Sequence, residues 1–212
     1  MWFLRLICRF VFCVFVPTKV FYPERMPESG ACIVASNHET MLDMFMIGYR
    51  IKRKVKWLAK QSLFKFKPFG WILKKCGAFP VKRDNHDVAA VTHCLELLHE
   101  GEAIGIFPQG TRSKGRGLNL TPKTGFLRMS VLSGAPVVPV AIWGKIRLFG
   151  KVYVKFGEPI RPDQLIDPDL ADDKNMQRAA AEQYMREVYD MMVVTDEDKS
   201  GLKKKKQKRS KK

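Results

Sequence analysis

The 212-residue chain is short of acids, of paired cysteines and of long apolar runs. It holds 21 Asp and Glu against 38 Lys and Arg, a net charge of +17. That balance disfavours cationic partners and favours phospholipid headgroups, nucleic acid or phosphorylated substrates. The five cysteines (Cys8, Cys13, Cys32, Cys76, Cys94) include no C-x-x-C pair, which argues against a zinc site or a disulfide framework. Reduced thiols facing the cytosol are the simplest reading, with Cys94 packed in a helix and no cysteine in a nucleophile setting. No G-x-x-x-x-G-K-[ST] stretch is present, so a nucleotide P-loop is excluded. No internal repeat is found.

The apolar run at the N-terminus is too short to span a bilayer, which needs roughly 20 residues. Arg5 and Arg9 interrupt it, and no small-residue cleavage site follows. Trp2, several Phe and the two Arg suit a helix over 1–22 lying in the headgroup boundary; the alternative is a buried helix of the domain. The tail from Lys199 to Lys212 carries nine cations and no acid, leaving +8 for residues 1–198. It reads as disordered from 196 onward, either a membrane tether or a solubilising end. Between these lies one domain, 23–195, of a size that supports a full core.

Short apolar runs at Ile33–Ala35, Val55–Ala59, Ala103–Phe107, Val137–Trp143 and Val152–Phe156 read as strands. Ala78–Arg83 reads as an edge or irregular strand because of Pro80. Helices are expected over about 41–50, 69–75, 86–99, 123–133 and 175–194, with Asp84 or Asn85 capping the third. This alternation predicts an α/β fold with a largely parallel central sheet flanked by helices.

The stretch Ile33–Asp43 stands out. A strand ends at Ser36-Asn37, His38 follows, and Asp43 precedes an apolar helix. Histidine is the default general base near neutral pH, and it needs a partner to orient it. Five residues apart on one helix, the two would point in different directions. They meet if His38 sits in the turn and Asp43 in the first helical turn. A histidine and an aspartate at this spacing also occur by chance, and a loop histidine is usually just solvated. His86, His93 and His99 read as helix-surface residues. A second turn, Pro108-Gln109-Gly110-Thr111-Arg112-Ser113, offers backbone N–H groups, hydroxyls and a guanidinium to a phosphate, or is plain turn chemistry.

Four blocks stand in order: Asn37-His38-Glu39-Thr40-Met41-Leu42-Asp43, Gly77-Ala78-Phe79-Pro80-Val81-Lys82-Arg83, Phe107-Pro108-Gln109-Gly110-Thr111-Arg112-Ser113, and Val137-Val138-Pro139-Val140. Together they resemble the glycerolipid acyltransferase family, especially its 1-acylglycerol-3-phosphate acyltransferases, over about 33–160. The resemblance implies a glycerol-3-phosphate acyltransferase-like fold and acyl transfer from acyl-CoA or acyl carrier protein to the free hydroxyl of lysophosphatidate, giving phosphatidic acid in phospholipid biosynthesis. No cofactor and no metal are implied. Carried over residue by residue, it makes His38 the base and Asp43 its partner. Arg112, Gly110, Thr111 and Ser113 would bind the acceptor phosphate, with Lys82 and Arg83 as a second cationic arm. Asn37 and Gln109 would shape the loops; Gln109 departs from the family's usual Glu, keeping an acceptor but losing the charge and gaining donors.

It further implies a membrane-associated, monotopic or peripheral protein on the cytoplasmic face, with the phospholipid surface as partner. The same chemistry on glycerol 3-phosphate or another lysolipid is one alternative. A non-catalytic protein binding anionic lipid or nucleic acid is another; the aromatic residues lie in apolar runs rather than interleaved with cations, which speaks against base stacking.

Overall fold

The computed structural model describes residues 15–81, 88–196 and 198. Seven strands form one sheet: β1 (Thr18–Phe21), β2 (Cys32–Ser36), β3 (Val55–Lys60), β4 (Ala78–Val81), β5 (Ala103–Ile106), β6 (Val137–Gly144) and β7 (Val152–Phe156). Their order across the sheet is β1-β7-β6-β2-β5-β3-β4. The five strands from β6 to β4 run parallel, β7 returns antiparallel to β6, and β1 lies parallel to β7. The helices are α1 (Asp43–Gly48), α2 (Lys67–Lys75), α3 (Val88–His99), α4 (Gly125–Ser133), α5 (Pro162–Leu165) and α6 (Lys174–Asp190).

The centre of the sheet is β2, every residue of which is buried. Alternate side chains serve opposite faces, as a strand's period of two requires. Cys32 and Val34 join the core under α1 and α2, with Met44, Met46, Ile47 and Leu73. Ile33 and Ala35 join the core under α3, α4 and α6, with Cys94, Leu98, Phe126, Leu127 and Tyr184. A strand covered on both faces reads as a continuous apolar run rather than an alternating one. The edge strand β4 contains Pro80, which lacks the N–H that an inner strand would need.

Two expected boundaries are corrected. Thr18–Phe21, inside the range expected to be a membrane helix, is a strand hydrogen-bonded to β7; residues 1–14 lie outside the described part. The tail is ordered further than expected: Asp198 is buried and its Oδ2 accepts from Lys155 Nζ at 2.9 Å. Burial pushes the Asp198 carboxyl up, but donors from Thr195 and Lys155 outweigh it and hold it below its ordinary value. Residues 199–212 lie outside the described part. Smaller shifts affect α1, which starts at Asp43 rather than Met41, and α6, which ends at Asp190 rather than Val194. No helix among the described residues is long and apolar enough to cross a membrane.

Candidate active site

The connections after β2, β3, β5 and β6 all leave the same edge of the sheet, because those strands are parallel. Ligands of open α/β sheets bind at this carboxyl edge. The first connection carries His38 and the third carries Arg112.

His38 lies in the turn between β2 and α1, and Asp43 is the first residue of α1. Nδ1 of His38 is 2.7 Å from Oδ2 of Asp43. The aspartate is fully buried, yet it is well supplied with donors. Glu39 N–H donates to Oδ2 at 2.7 Å, Thr40 N–H donates at 3.0 Å, and the Thr40 hydroxyl donates to Oδ1 at 2.8 Å. These bonds fold the intervening turn around the carboxylate and bring residues five apart into contact. An ionised carboxylate only accepts, so the proton of the pair sits on Nδ1 and Nε2 keeps its lone pair. The imidazole stacks on Phe107 with centroids 4.1 Å apart and 16° between planes, and Phe107 stacks on Trp57 at 5.1 Å. The ring is thus fixed in plane by aromatic contact and in rotation by Asp43.

Asn37 ties this turn to β6. Its amide donates to Ile142 C=O at 2.8 Å and accepts from Ile142 N–H at 2.8 Å. A side chain therefore continues the β2–β6 ladder where the β2 backbone has turned away. The same amide donates to Glu39 at 3.0 Å, and Glu39 also accepts from the Ser113 hydroxyl at 2.5 Å. Ser113 N–H donates to His38 C=O at 2.6 Å. The loop of Arg112 is therefore stitched directly to the histidine turn.

Within that loop the expected phosphate ligands divide. Arg112 is exposed and makes no hydrogen bond or ion pair among the described residues; Thr111 is half-buried beside it. Ser113 is buried, and its hydroxyl donates to Glu39. The N–H of Gly110 is also committed, to Phe107 C=O at 2.8 Å. What Gly110 supplies is conformation. Its φ is +65°, and a Cβ there would stand 3.2 Å from Lys123 Cε. Lys82 and Arg83 follow β4 but lie outside the described residues.

Gln109 is buried, and its side-chain N–H donates to Gly117 C=O at 2.8 Å and to the Tyr189 hydroxyl at 3.2 Å. It thus closes the loop 110–117 on itself and onto α6. Burial raises the Tyr189 phenol above its ordinary pKa.

Glu39, Thr40, Phe107 and Tyr189 were not expected. Glu39 adjoins His38 and Phe107 opens the block that holds Gln109, so nearness in sequence was an available signal. Tyr189 is 80 residues from Gln109, and nothing in the chain marked it. Burial pushes the Cys32 thiol up to about 11, which disfavours its use as a nucleophile. Among the described residues no group of His, Cys, Asp and Glu is placed to hold a metal.

Residues 18–143, more than half of the chain, match the acyltransferase family. A 1-acyl-sn-glycerol-3-phosphate acyltransferase of Bacillus subtilis is 34% identical over 148 residues, 67% of this chain and 73% of that protein. A chloroplastic 1-acyl-sn-glycerol-3-phosphate acyltransferase of Brassica napus is 33% identical over 135 residues, covering 61% of this chain but 38% of the longer relative. The crystal structure of the 1-acyl-sn-glycerophosphate (LPA) acyltransferase of Thermotoga maritima superposes with a TM-score of 0.67 at 25% identity, covering 90% of this chain and 78% of that one. With the His38 turn and the Arg112 loop joined at one edge of such a sheet, the chain belongs to the acyltransferase family.

Proposed function

We propose that the protein transfers a fatty acyl group from a thioester to the free hydroxyl of 1-acylglycerol 3-phosphate, giving phosphatidic acid. The observation that carries this reading is the His38–Asp43 pair, joined through Ser113 N–H to the loop that presents Arg112. The named activity of the Bacillus subtilis and Thermotoga maritima relatives supports it.

Nε2 of His38 takes the proton of the acceptor hydroxyl as its oxygen attacks the thioester carbonyl. The C–O bond forms, the C–S bond breaks, and the proton passes from the imidazolium to the departing thiolate. Asp43 holds the ring and stabilises the imidazolium. Base catalysis of this kind is worth about 10²–10⁴-fold. A thioester is already activated, so no acyl-enzyme is needed. Arg112 binds the acceptor phosphate with Thr111 beside it, and Lys82 and Arg83 supply further positive charge. The donor is acyl-CoA or acyl carrier protein. The acceptor resides in a bilayer, so the enzyme works as a monotopic or peripheral protein at the cytoplasmic surface of a membrane.

The test is acylation of lysophosphatidate by the purified chain on anionic vesicles, beside glycerol 3-phosphate and other lysolipids, with each donor. Phosphatidic acid as the main product supports the reading. Preference for glycerol 3-phosphate moves the acceptor, and no transfer to any hydroxyl overturns it.

A further inference from the structure

The carboxyl edge carries more than the site. Among the described residues, four connections leaving it (37–42, 61–66, 107–124 and 145–151) hold eight cations and one acid, Glu39. That acid is engaged internally by Asn37 and Ser113. Between the cations stand large apolar side chains open to solvent. On one flank β6 continues four residues past Val140, the partner of Ser36, and so projects about 13 Å beyond the end of β2. The tip of this β6–β7 hairpin exposes Leu148 and Phe149 at 63% and 66%, beside Lys145, Arg147 and Lys151. Phe15 joins it: its C=O accepts from Phe149 N–H at 2.7 Å, and the two rings are 6.4 Å apart. On the other flank Phe66, 69% exposed, follows the end of β3 between Lys65 and Lys67. Met41 and Leu42, at 43% and 40%, lie between the flanks in the turn that starts at His38.

Scattered exposed apolar residues are ordinary, but several of them at one edge among an excess of cations are not. We infer that this edge is the protein's docking surface for an anionic phospholipid membrane, with the 145–151 hairpin tip and Phe66 as apolar feet on either side of His38. The feet enter the acyl boundary and the cations meet lipid phosphates, as interfacial segments do. The site then opens toward the bilayer rather than toward bulk water. The inference rests on the acyltransferase reading only for what the site does there, because vesicle binding is measured with neither substrate present.

The experiment compares the full chain with Leu148→Glu, Phe66→Glu and Leu132→Glu. The last adds the same charge at an exposed residue, 56% accessible, on α4 near the start of β6. Partition is measured by co-sedimentation with vesicles of phosphatidylcholine, with and without phosphatidylglycerol. Turnover is measured with a short-chain lysophosphatidate below its micelle concentration. The expected result is a loss of at least ten-fold in partition for Leu148→Glu and Phe66→Glu, less than two-fold for Leu132→Glu, and monomer turnover within two-fold of wild type for all three. Equal losses in all three would overturn the inference, as bulk charge would then explain binding. Unchanged partition with a lower melting temperature for Leu148→Glu would also overturn it, by showing the tip covered by another part of the chain. A dimer that dissociates in the variants, with vesicle binding intact, would assign the face to a second copy instead. If Leu148→Glu does not fold, Leu148→Ser gives the same comparison with a smaller loss. Vesicle binding without turnover in the wild type would leave this inference standing and remove the catalytic one.

Discussion

The side-chain amide of Gln109 donates to the carbonyl of Gly117 at 2.8 Å, a bond that a carboxylate at position 109 could not make. The family pattern that the sequence resembles has Glu at this place, whereas here the side chain acts as a donor. Restoring the family residue should therefore harm this protein. Gln109→Glu places lone pairs against a buried carbonyl, at about 1–3 kcal/mol. The expected outcome is a melting temperature lower by a few degrees and a raised KM for the phosphorylated acceptor. Unaltered stability with improved turnover would show instead that the charge matters.

Arg112 is exposed and bonded to nothing among the described residues, so removing it should leave the fold intact. Arg112→Ala is expected to raise KM for the acceptor at least ten-fold and KM for the acyl donor by less than three-fold. Steady-state kinetics with each substrate varied in turn will show it. Equal effects on both would count against phosphate binding at this residue.

Asp43 and His38 should separate stability from rate. Asp43→Ala leaves the Glu39 N–H, Thr40 N–H and Thr40 hydroxyl without their acceptor inside the protein. Each orphaned, partly buried donor costs up to about 1–3 kcal/mol, so thermal unfolding shows a clear drop. His38→Ala removes a ring stacked on Phe107, but Asp43 keeps its Glu39 and Thr40 donors, so the melting temperature should fall less than for Asp43→Ala.

The Asp198 carboxyl is held below its ordinary value in the folded chain. A depressed carboxyl contributes stability above its unfolded value and loses it as pH falls through the folded value. Asp198→Asn should therefore unfold at a lower temperature than wild type at pH 7. The gap should close on acidification, once the carboxyl is protonated in both states. A gap that persists in acid would assign the effect to packing rather than to the Lys155 ion pair.

Much of this architecture was legible in the chain. The runs of β2, β5 and β6 were visible because both faces of the sheet are covered there, β3 and β7 kept an apolar alternation on one face, and Pro80 fitted β4 to an edge. The meeting of His38 with Asp43 followed from a strand stopping and a helix starting between them. Less was visible where the partner is distant. Thr18–Phe21 merged with the apolar run before it, and only pairing with β7 makes it a strand. Ser113 and Gly110 looked like ligands for phosphate because hydroxyls and glycine N–H groups are. Their protons turn out to be committed to Glu39 and Phe107. Tyr189 gave no local sign of reaching Gln109, because a helix face records what is buried and not which loop it meets.

The most direct measurement is the rate of phosphatidic acid formation from acyl-CoA and 1-acylglycerol 3-phosphate by the purified chain and by His38→Ala at equal concentration. The account predicts a loss of at least 10²-fold, in the range of general-base catalysis, in a protein that remains folded. A folded His38→Ala protein that keeps its rate within a few-fold would contradict it.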